Sequence, residues 1–259
     1  MKARQAEAGS VPARPALAGR RALVLGGSGG IGAAVALALA SRGADLLIHG
    51  GRSGKALEAS LAAARAAAPG QASIEGMLRP LTGPRDLDAL LPGLGPVDIL
   101  VCALGPFHQA PLHGTGPETW ESLCLLNLAL PGALASALLP AMREAQWGRF
   151  LFFGGTRTDA IRAYSTNAAY AAAKTGLGVL VKSLAAEYGG EGIGAFLLCP
   201  GFVDTEYLSP ELRRSLAAKA PRGRLIPAQD IGEFAGSLLA ADPPLASGSI
   251  IDLDGGLKL

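Results

Sequence analysis

The chain has few charged residues for its length. Only 17% of its 259 residues are Asp, Glu, Lys or Arg, whereas 49% are hydrophobic, and the formal net charge is +2. Intrinsic disorder requires the opposite balance, so the composition predicts a well-buried globular protein. A net charge this small creates no general attraction to nucleic acid, and we predict no nucleic-acid partner.

Cysteine is also scarce. The three cysteines, Cys102, Cys124 and Cys199, are far apart, and the sequence has no Cys-x-x-Cys pattern or His/Cys cluster. An odd number of separated cysteines argues against a disulfide framework, and the missing ligand spacing predicts no metal site. Each cysteine is therefore expected to act as a small buried hydrophobe.

A long uninterrupted apolar run is missing too. Stretches such as residues 33–40 are well short of the roughly 20 residues that a membrane span needs. Residues 1–21 carry charges and two prolines, but no apolar core of the kind found in signal peptides. We therefore predict a flexible N-terminal leader over residues 1–20 and a soluble, cytoplasmic protein without a membrane partner.

Beyond the leader, short apolar runs alternate with helical segments, and no linker-like stretch divides the chain. Such alternation predicts one doubly wound, Rossmann-type parallel sheet with helices on both faces, a single α/β domain over residues 21–259. Residues 202–227 are predicted to be mobile. The predicted strands are 21–25, 45–49, 73–78, 97–102, 148–153, 194–199 and 249–253. The predicted helices are 33–42, 55–68, 85–91, 118–142 with an interruption near Pro131, 168–189 and 230–241.

A glycine-rich turn follows the first predicted strand and opens the first helix. Gly26 permits a tight turn, Gly30 lets a pyrophosphate approach the backbone, and Gly32 lets the helix lie close to the sheet. The amides at the helix start and the positive end of the helix dipole favour phosphate. We therefore predict a dinucleotide site, whose contacts here are Gly26, Ser28, Gly29, Gly30, Ile31 and Gly32; an ordinary glycine turn is the alternative.

The end of the second strand indicates which dinucleotide is bound. A carboxylate at this point would bind an adenosine ribose, but the run from His49 to Ser53 contains no acid. The guanidinium of Arg52 suits a 2′-phosphate, which a carboxylate would repel. NADP(H) is therefore favoured over NAD(H), with Arg52 and Ser53 as its contacts, although Arg52 could also be an ordinary surface residue.

Tyr170 and Lys174 are four residues apart in an alanine-rich helix, so they share one helical face. Chance supplies many such pairs, and a packed tyrosine beside a solvated lysine is the alternative interpretation. The pair gains functional meaning only if the rest of the chain supplies a cofactor for it to face.

Several patterns between residues 21 and 256 together resemble the short-chain dehydrogenase/reductase family. The glycine turn matches the family's Thr-Gly-x-x-x-Gly-x-Gly, with Leu25 in place of threonine. Val203 and Thr205, after Pro200-Gly201, fit its Pro-Gly-x-Val-x-Thr. The runs 223–231 and 248–256 are similar to those of bacterial 3-oxoacyl-(acyl carrier protein) reductases and their relatives.

The resemblance implies roles for individual residues. Tyr170 would be the general acid, and Lys174 would hold the nicotinamide ribose and lower the pKa of the tyrosine. A positive charge about 4 Å away supplies on the order of 4 kcal/mol at an effective dielectric of 20, enough to lower that pKa by about three units. Asn127 would support a proton-relay water. The nicotinamide side would be lined by Pro200, Gly201, Val203 and Thr205.

The sequence departs from the family pattern in three places. Cys102-Ala103-Leu104-Gly105 replaces Asn-Asn-Ala-Gly, which leaves Ala103 and Gly105 as cofactor contacts. Pro80 replaces the acid that contacts adenine, which leaves the amide of Leu81. The family serine aligns with Gly155, so a neighbouring hydroxyl would have to share the charge that develops on the substrate oxygen. Thr156 is the favoured candidate, and the alternatives are Thr158, Ser165 or no hydroxyl at all.

Two hypotheses follow. The first is an NADPH-dependent oxidoreductase that transfers hydride between nicotinamide and a carbonyl or alcohol, in a pocket shaped by aromatic residues such as Phe107, His108, Trp120 and Tyr164. The second is a nucleotide-binding protein of the same fold that acts through partners without turnover. The intact Tyr170–Lys174 pair favours the enzyme. By analogy with the family we expect a homo-oligomer, a dimer or tetramer, while the sequence names neither the substrate nor the direction of reaction.

Overall fold

The computed structural model describes residues 15–257. Seven parallel strands form one sheet in the order β3-β2-β1-β4-β5-β6-β9, and β7 and β8 form a separate two-stranded pair. The strands are β1 (Arg21–Leu25), β2 (Asp45–Gly50), β3 (Ile74–Leu78), β4 (Ile99–Cys102), β5 (Gly148–Phe153), β6 (Ile193–Pro200), β7 (Val203–Asp204), β8 (Ile226–Pro227) and β9 (Ile250–Leu253). The prediction of a doubly wound parallel sheet is confirmed.

Helices cover both faces of the sheet. They are α1 (Gly30–Ser41), α2 (Gly54–Ala67), α3 (Leu87–Leu90), α4 (Pro117–Cys124), α5 (Leu130–Glu144), α6 (Ala168–Tyr188), α7 (Pro210–Lys219) and α8 (Ala228–Ala240). Buried residues of α1, α2 and α8 share one core cluster, and those of α3, α5 and α6 share the other. The sheet therefore has an apolar layer on each side.

The central strands are apolar at nearly every position because both of their faces are covered; the exceptions are Arg21 at the start of β1 and the buried Arg149 in β5. In β1, Ala22 and Val24 belong to the core on one side, and Leu23 and Leu25 belong to the core on the other. Alternation of side chains across a strand sends successive residues to opposite faces. A continuous apolar run is what a parallel strand buried between two helical layers requires.

The long helix predicted at 118–142 is not interrupted at Pro131. A π-helical turn, Leu125–Ala129, joins α4 to α5, and Pro131 lies in the first turn of α5. Proline has no amide to donate to the preceding turn of this continuous helix, and the π-helical turn directly before Pro131 already departs from regular α-helical hydrogen bonding. The irregularity is instead the π turn that contains Asn127, and such turns often occur at functional sites.

Two segments that the sequence analysis predicts to be flexible make defined contacts in the structure. Residues 1–14 of the predicted leader lie outside the described residues, but Leu17 is buried and its amide donates to Arg42 O at 2.9 Å. The segment 202–227 contains a short strand at each end and α7 between them. Ser209 caps α7 by accepting from the Leu212 amide at 3.2 Å, which explains a helix start at this point.

Among the described residues, one helix is long and apolar enough to cross a membrane. It covers Pro117–Glu144, or 28 residues, and so exceeds the apolar runs considered from the sequence. Its Leu130, Leu134 and Leu138 side chains are buried against the sheet. Core helices of this kind pass the same length and composition test, so the helix is weak evidence for a membrane span.

Candidate active site

The predicted site residues meet at the carboxyl ends of the central strands. The sheet order places β1 beside β4, although β2 and β3 lie on the other side of β1. In doubly wound sheets the crevice at this reversal of strand order is where ligands bind. The glycine turn after β1, the 102–105 turn after β4 and the Pro200-Gly201 turn after β6 all open into this crevice.

The glycine turn has the close backbone approach that its sequence predicts. A Cβ on Gly32, in the first turn of α1, would lie 2.2 Å from Gly26 O, so a side chain at this position would break the turn. Gly26 has φ of +75°, a value that favours glycine. Ser60, which the sequence analysis did not identify, donates to Gly27 O at 2.7 Å and ties α2 to the turn.

His49 is a second residue that the sequence analysis missed. Its Nδ1 accepts from the Gly26 amide at 3.3 Å, and its Nε2 donates to Arg79 O at 2.7 Å. These opposite roles require a neutral ring, and burial lowers the pKa of His49. The ring therefore joins the ends of β1 and β3 behind the site. A single histidine at the end of a strand gave no spacing signal that could have revealed this.

The predicted adenosine contacts lie at the open side of β2. Arg52 and Ser53 are both exposed, directly before α2. The Ser53 hydroxyl accepts from the Ala56 amide at 3.2 Å and caps α2, so Ser53 has a structural role as well as the predicted one. Leu81, after β3, is half-buried and packs against the apolar core.

Asn127 and Gly105 are in close contact. A Cβ on Gly105 would lie 2.0 Å from Asn127 Oδ1, and Gly105 has φ of +146°, so only glycine fits. Asn127 is fully buried and donates from Nδ2 to Pro106 O at 3.0 Å. Asn127 thus braces the turn that lacks the family asparagines. The other end of the turn is held by the Ala103 amide, which donates to Leu25 O at 2.9 Å.

Tyr170 and Lys174 lie at the start of α6, within the crevice. Lys174 is buried, and its Nζ lies 5.9 Å from the centre of the Tyr170 ring. Phe107 packs edge-on against Tyr170, with ring centres 5.0 Å apart and an interplanar angle of 81°. Neither the Tyr170 hydroxyl nor the Lys174 ammonium has a hydrogen-bond partner among the described residues, so both groups are available to ligands.

The expected effect of Lys174 on the pKa of Tyr170 is wrong for this structure. Burial raises the pKa of Tyr170 to about 12, and the same cause lowers the pKa of Lys174 to about 8. Desolvation by burial penalises the charged form of each group, the phenolate of Tyr170 and the ammonium of Lys174. Tyr170 is therefore a protonated phenol at neutral pH, and Lys174 is still mostly charged.

A glycine rather than a hydroxyl lies against Tyr170. A Cβ on Gly155 would be 2.9 Å from the Tyr170 hydroxyl oxygen and 2.7 Å from its Cε1. The Thr156 hydroxyl donates to Pro200 O at 3.2 Å, and its assignment to catalysis stays a prediction. The Thr158 hydroxyl is buried, accepts from the Gly155 amide at 2.8 Å and donates to Gly155 O at 3.1 Å. Ser165 is exposed.

The Pro200-Gly201 turn carries the remaining predicted contacts. Gly201 donates to Leu253 O at 3.0 Å, which fixes the turn to β9, and Val203 begins β7. The Thr205 methyl lies 3.5 Å from the point where a Gly30 Cβ would stand. Next to it, Glu206 accepts from the Gly30 amide at 2.9 Å. The sequence could have indicated an acid after the motif, but not its partner 176 residues away.

The residues present fit a dinucleotide cofactor. The Gly30 amide at the start of α1 already donates to an anionic oxygen, that of Glu206, which shows that this helix end accepts negative charge. Residues 29, 30 and 32 are glycines and place no side chain of their own in front of these amides. No group of three or more His, Cys, Asp or Glu side chains within residues 15–257 could hold a metal ion.

Comparison with known proteins identifies the class. A family model described as enoyl-(acyl carrier protein) reductase matches residues 26–258. The 3-oxoacyl-[acyl-carrier-protein] reductase FabG of Escherichia coli K12 is 32% identical over 248 residues, which cover 93% of this chain and 98% of that protein. The chain belongs to the short-chain dehydrogenase/reductase family of oxidoreductases, as the sequence motifs predict.

Other relatives share both sequence and fold. D-beta-hydroxybutyrate dehydrogenase of Cupriavidus necator is 29% identical over 264 residues, covering 93% of this chain and 98% of that protein. The crystal structure of a 3-oxoacyl (acyl-carrier-protein) reductase from Agrobacterium tumefaciens C58 with NADP bound is 29% identical and has a TM-score of 0.81. The matched region covers 93% of this chain and 95% of the Agrobacterium chain. The predictions of an enzyme and of an oxidoreductase are confirmed at the level of the family.

Proposed function

We propose that the protein is an NADP(H)-dependent carbonyl reductase in which Tyr170 donates the proton. The observation that carries this proposal is the position of Tyr170 and Lys174 at the carboxyl ends of the central strands. There the Tyr170 hydroxyl and the Lys174 ammonium have no hydrogen-bond partner within residues 15–257. A bound nicotinamide would supply the hydride, and every other task falls to side chains of this chain.

In this mechanism a carbonyl oxygen lies within hydrogen-bond reach of the Tyr170 hydroxyl. A phenol with a pKa of about 12 holds its proton at neutral pH, so the proton is in place on Tyr170 when a carbonyl oxygen arrives. The Lys174 ammonium would hold the ribose hydroxyls of the nicotinamide nucleotide and would stabilise negative charge that develops on the phenol oxygen. Asn127 keeps Gly105 and Pro106 in place beside the cofactor. Gly155 has no side chain, which lets the Tyr170 ring lie against its backbone, and Thr156 is the predicted additional donor.

NADP(H) is the proposed cofactor. The Agrobacterium relative was solved with NADP, and Arg52 in this chain is exposed at the end of β2 without a carboxylate beside it in sequence. A guanidinium binds phosphate through parallel hydrogen bonds. The Gly26, Ser28–Gly32, Leu81, Ala103 and Gly105 positions would hold the rest of the dinucleotide, together with the Pro200–Thr205 turn.

Arg52→Ala is expected to raise the Kd for NADPH about 10- to 100-fold, because a charge-assisted bidentate contact with the 2′-phosphate is lost. The Kd for NADH should stay within twofold of the wild-type value. Both constants are measured by nucleotide fluorescence titration. Lys55→Ala, three residues further on and also exposed, is the matched control. An equal loss for both nucleotides would assign Arg52 to some other task.

We propose a 3-oxoacyl thioester or a related ketone as substrate. FabG is named for such an activity, and in this chain the apolar ring of Phe107 packs edge-on against Tyr170. Beside it is an open groove of about 290 Å³ lined by Pro106, Phe107, His108, Glu118, Thr119, Ser122 and Leu123. An exposed aromatic next to the proton donor suits an acyl chain better than a polyol.

The proposal is tested by NADPH oxidation in the presence of 3-oxoacyl thioesters and simple ketones. Turnover with at least one of them supports a carbonyl reductase. NADPH binding without turnover across the panel would instead favour a nucleotide-binding protein that acts through partners, for which the glycine at the serine position is the supporting observation.

The reduction rate should depend on pH through Lys174. The pKa of this residue is lowered to about 8 by burial, so the ammonium is charged below pH 8 and is lost as the pH rises through it. We expect kcat for reduction to be level between pH 6 and 7 and to fall towards tenfold per unit above pH 8. The Lys174→Met variant should have a low kcat at every pH and should not show this fall above pH 8. A wild-type profile level to pH 10 would contradict the assignment.

The cellular context is also a proposal. We place a single domain at residues 21–259 in the cytoplasm, as a homo-oligomer in which α6 contributes to the contact. Val179 on this helix is 70% exposed, which is unusual for a β-branched apolar residue in the middle of a long helix. Light scattering of the purified protein gives the number of subunits.

A further inference from the structure

The start of α1 is in contact with two side chains from the distant segment after β7. Glu206 Oε1 accepts from the Gly30 amide at 2.9 Å. A Cβ on Gly29 would lie 2.4 Å from the same oxygen and 2.1 Å from the Tyr207 hydroxyl. The carboxylate and the phenol therefore lie directly on the two glycines where phosphates would bind.

The contact satisfies a need of α1 itself. The helix has no acidic residue in its first turn, and Gly29 provides no side-chain cap. The positive end of a helix dipole favours an anion, and Glu206 supplies one. A phosphate of the cofactor would need the same amide. Two negative groups cannot share one donor at this distance without strong repulsion.

We propose that Glu206 is a determinant of cofactor affinity: its carboxylate occupies the pyrophosphate position in the free protein and must leave before the dinucleotide binds. This inference rests on the proposed function, because it takes the ligand of the glycine turn to be a dinucleotide. Cofactor binding is thereby coupled to movement of the 206–219 segment, which lies beside the nicotinamide-side residue Thr205.

The segment is held by few contacts, which makes this movement inexpensive. None of the ten residues of α7, all of which the structure describes, is buried. Arg213 joins the helix to the preceding strand through Asp204 at 2.9 Å and Thr205 O at 3.2 Å. An element with little buried apolar surface opens at low free-energy cost. The 206–219 segment can thus leave α1 without disturbing the sheet.

The test is a comparison of Glu206→Gln with wild type in NADPH titrations of the full chain. Glutamine has the same size and can still accept from the Gly30 amide, but it carries no charge. The contact with α1 in the cofactor-free protein is therefore weaker. We expect the Kd for NADPH to fall about tenfold, the lower part of the range for a hydrogen bond to a charged group. Glu211→Gln removes another exposed charge in the same segment, where the acid pairs with Arg214 at 3.6 Å, and should leave Kd unchanged.

Thermal unfolding distinguishes competition from a general change in the loop. A tenfold effect corresponds to about 1.4 kcal/mol, so the Tm of free Glu206→Gln should be about 3 to 5 °C below that of wild type. At saturating NADPH the two proteins should unfold at the same temperature. A merely structural role would lower both values.

An unchanged or higher Kd in Glu206→Gln, with wild type still binding NADPH, would overturn the inference and leave the proposed function intact. Failure of wild type and variant alike to bind NADPH or NADH would overturn both. Binding by the variant alone would support the inference in its strongest form.

Discussion

Tyr170→Phe is expected to lower kcat for carbonyl reduction by about 10²- to 10⁴-fold, the usual contribution of a positioned general acid. Phenylalanine keeps the ring, and with it the edge contact to Phe107 at 5.0 Å, so the pocket should keep its shape. The Kd for NADPH should stay within about twofold, because Lys174 and the glycine turn are unchanged. Steady-state kinetics and nucleotide titration of one protein preparation measure both quantities.

Tyr188→Phe is the matched control for this variant. It makes the same chemical change on the same helix, 18 residues and roughly 27 Å further along, where the tyrosine packs beneath Arg143. Its kcat should equal that of wild type. If Tyr170→Phe were as active as Tyr188→Phe, the proton would have to come from another group, and the proposed mechanism would be wrong.

Gly155→Ala is expected to lower kcat by about 10- to 100-fold. The new methyl would stand 2.7 Å from Tyr170 Cε1 and 2.9 Å from its hydroxyl oxygen, so the tyrosine must move. A displacement on the order of 1 Å at a reacting group costs as much as 10²-fold in rate. Gly155→Ser should do no better, because its Cβ meets the same atoms before the hydroxyl can help.

A double variant separates this steric effect from instability. If Gly155→Ala acts only by moving Tyr170, it should change the residual rate of Tyr170→Phe by less than about threefold, since the proton donor is already gone. Gly132→Ala in α5, where a Cβ meets nothing within 4 Å, controls for a change of glycine to alanine. If the effects of Gly155→Ala and Tyr170→Phe on kcat were fully additive, Gly155→Ala could not act by displacing Tyr170.

The sequence predicts the sheet and the catalytic pair because both depend on local patterns. The largely apolar runs at 21–25 and 148–153 predict strands covered on both faces, and they match β1 and β5 residue for residue. The spacing of Tyr170 and Lys174 fixes a shared helical face whatever surrounds it. Gly32 likewise predicts a close approach of the helix to the preceding turn, and in the structure its Cα lies close to the Gly26 carbonyl.

Contacts between segments that are distant in sequence could not be predicted from local patterns. Glu206 reaches Gly30, and His49 reaches both Gly26 and Arg79, through side chains whose partners only the folded chain defines. The pKa of Tyr170 was predicted in the wrong direction for the same reason. Its value depends on how much solvent the fold removes from the phenol and from Lys174, and sequence spacing holds no information on burial.

The most direct test of the account is hydride transfer itself. A single turnover with NADPH deuterated at C4 of the nicotinamide and a 3-oxoacyl thioester should place deuterium on the carbinol carbon of the product, as seen by mass spectrometry. The Tyr170→Phe variant should give the same label at a rate about 10²- to 10⁴-fold lower. Reduced product without deuterium, from either nicotinamide face, would contradict a hydride transfer from the cofactor to the carbonyl beside Tyr170.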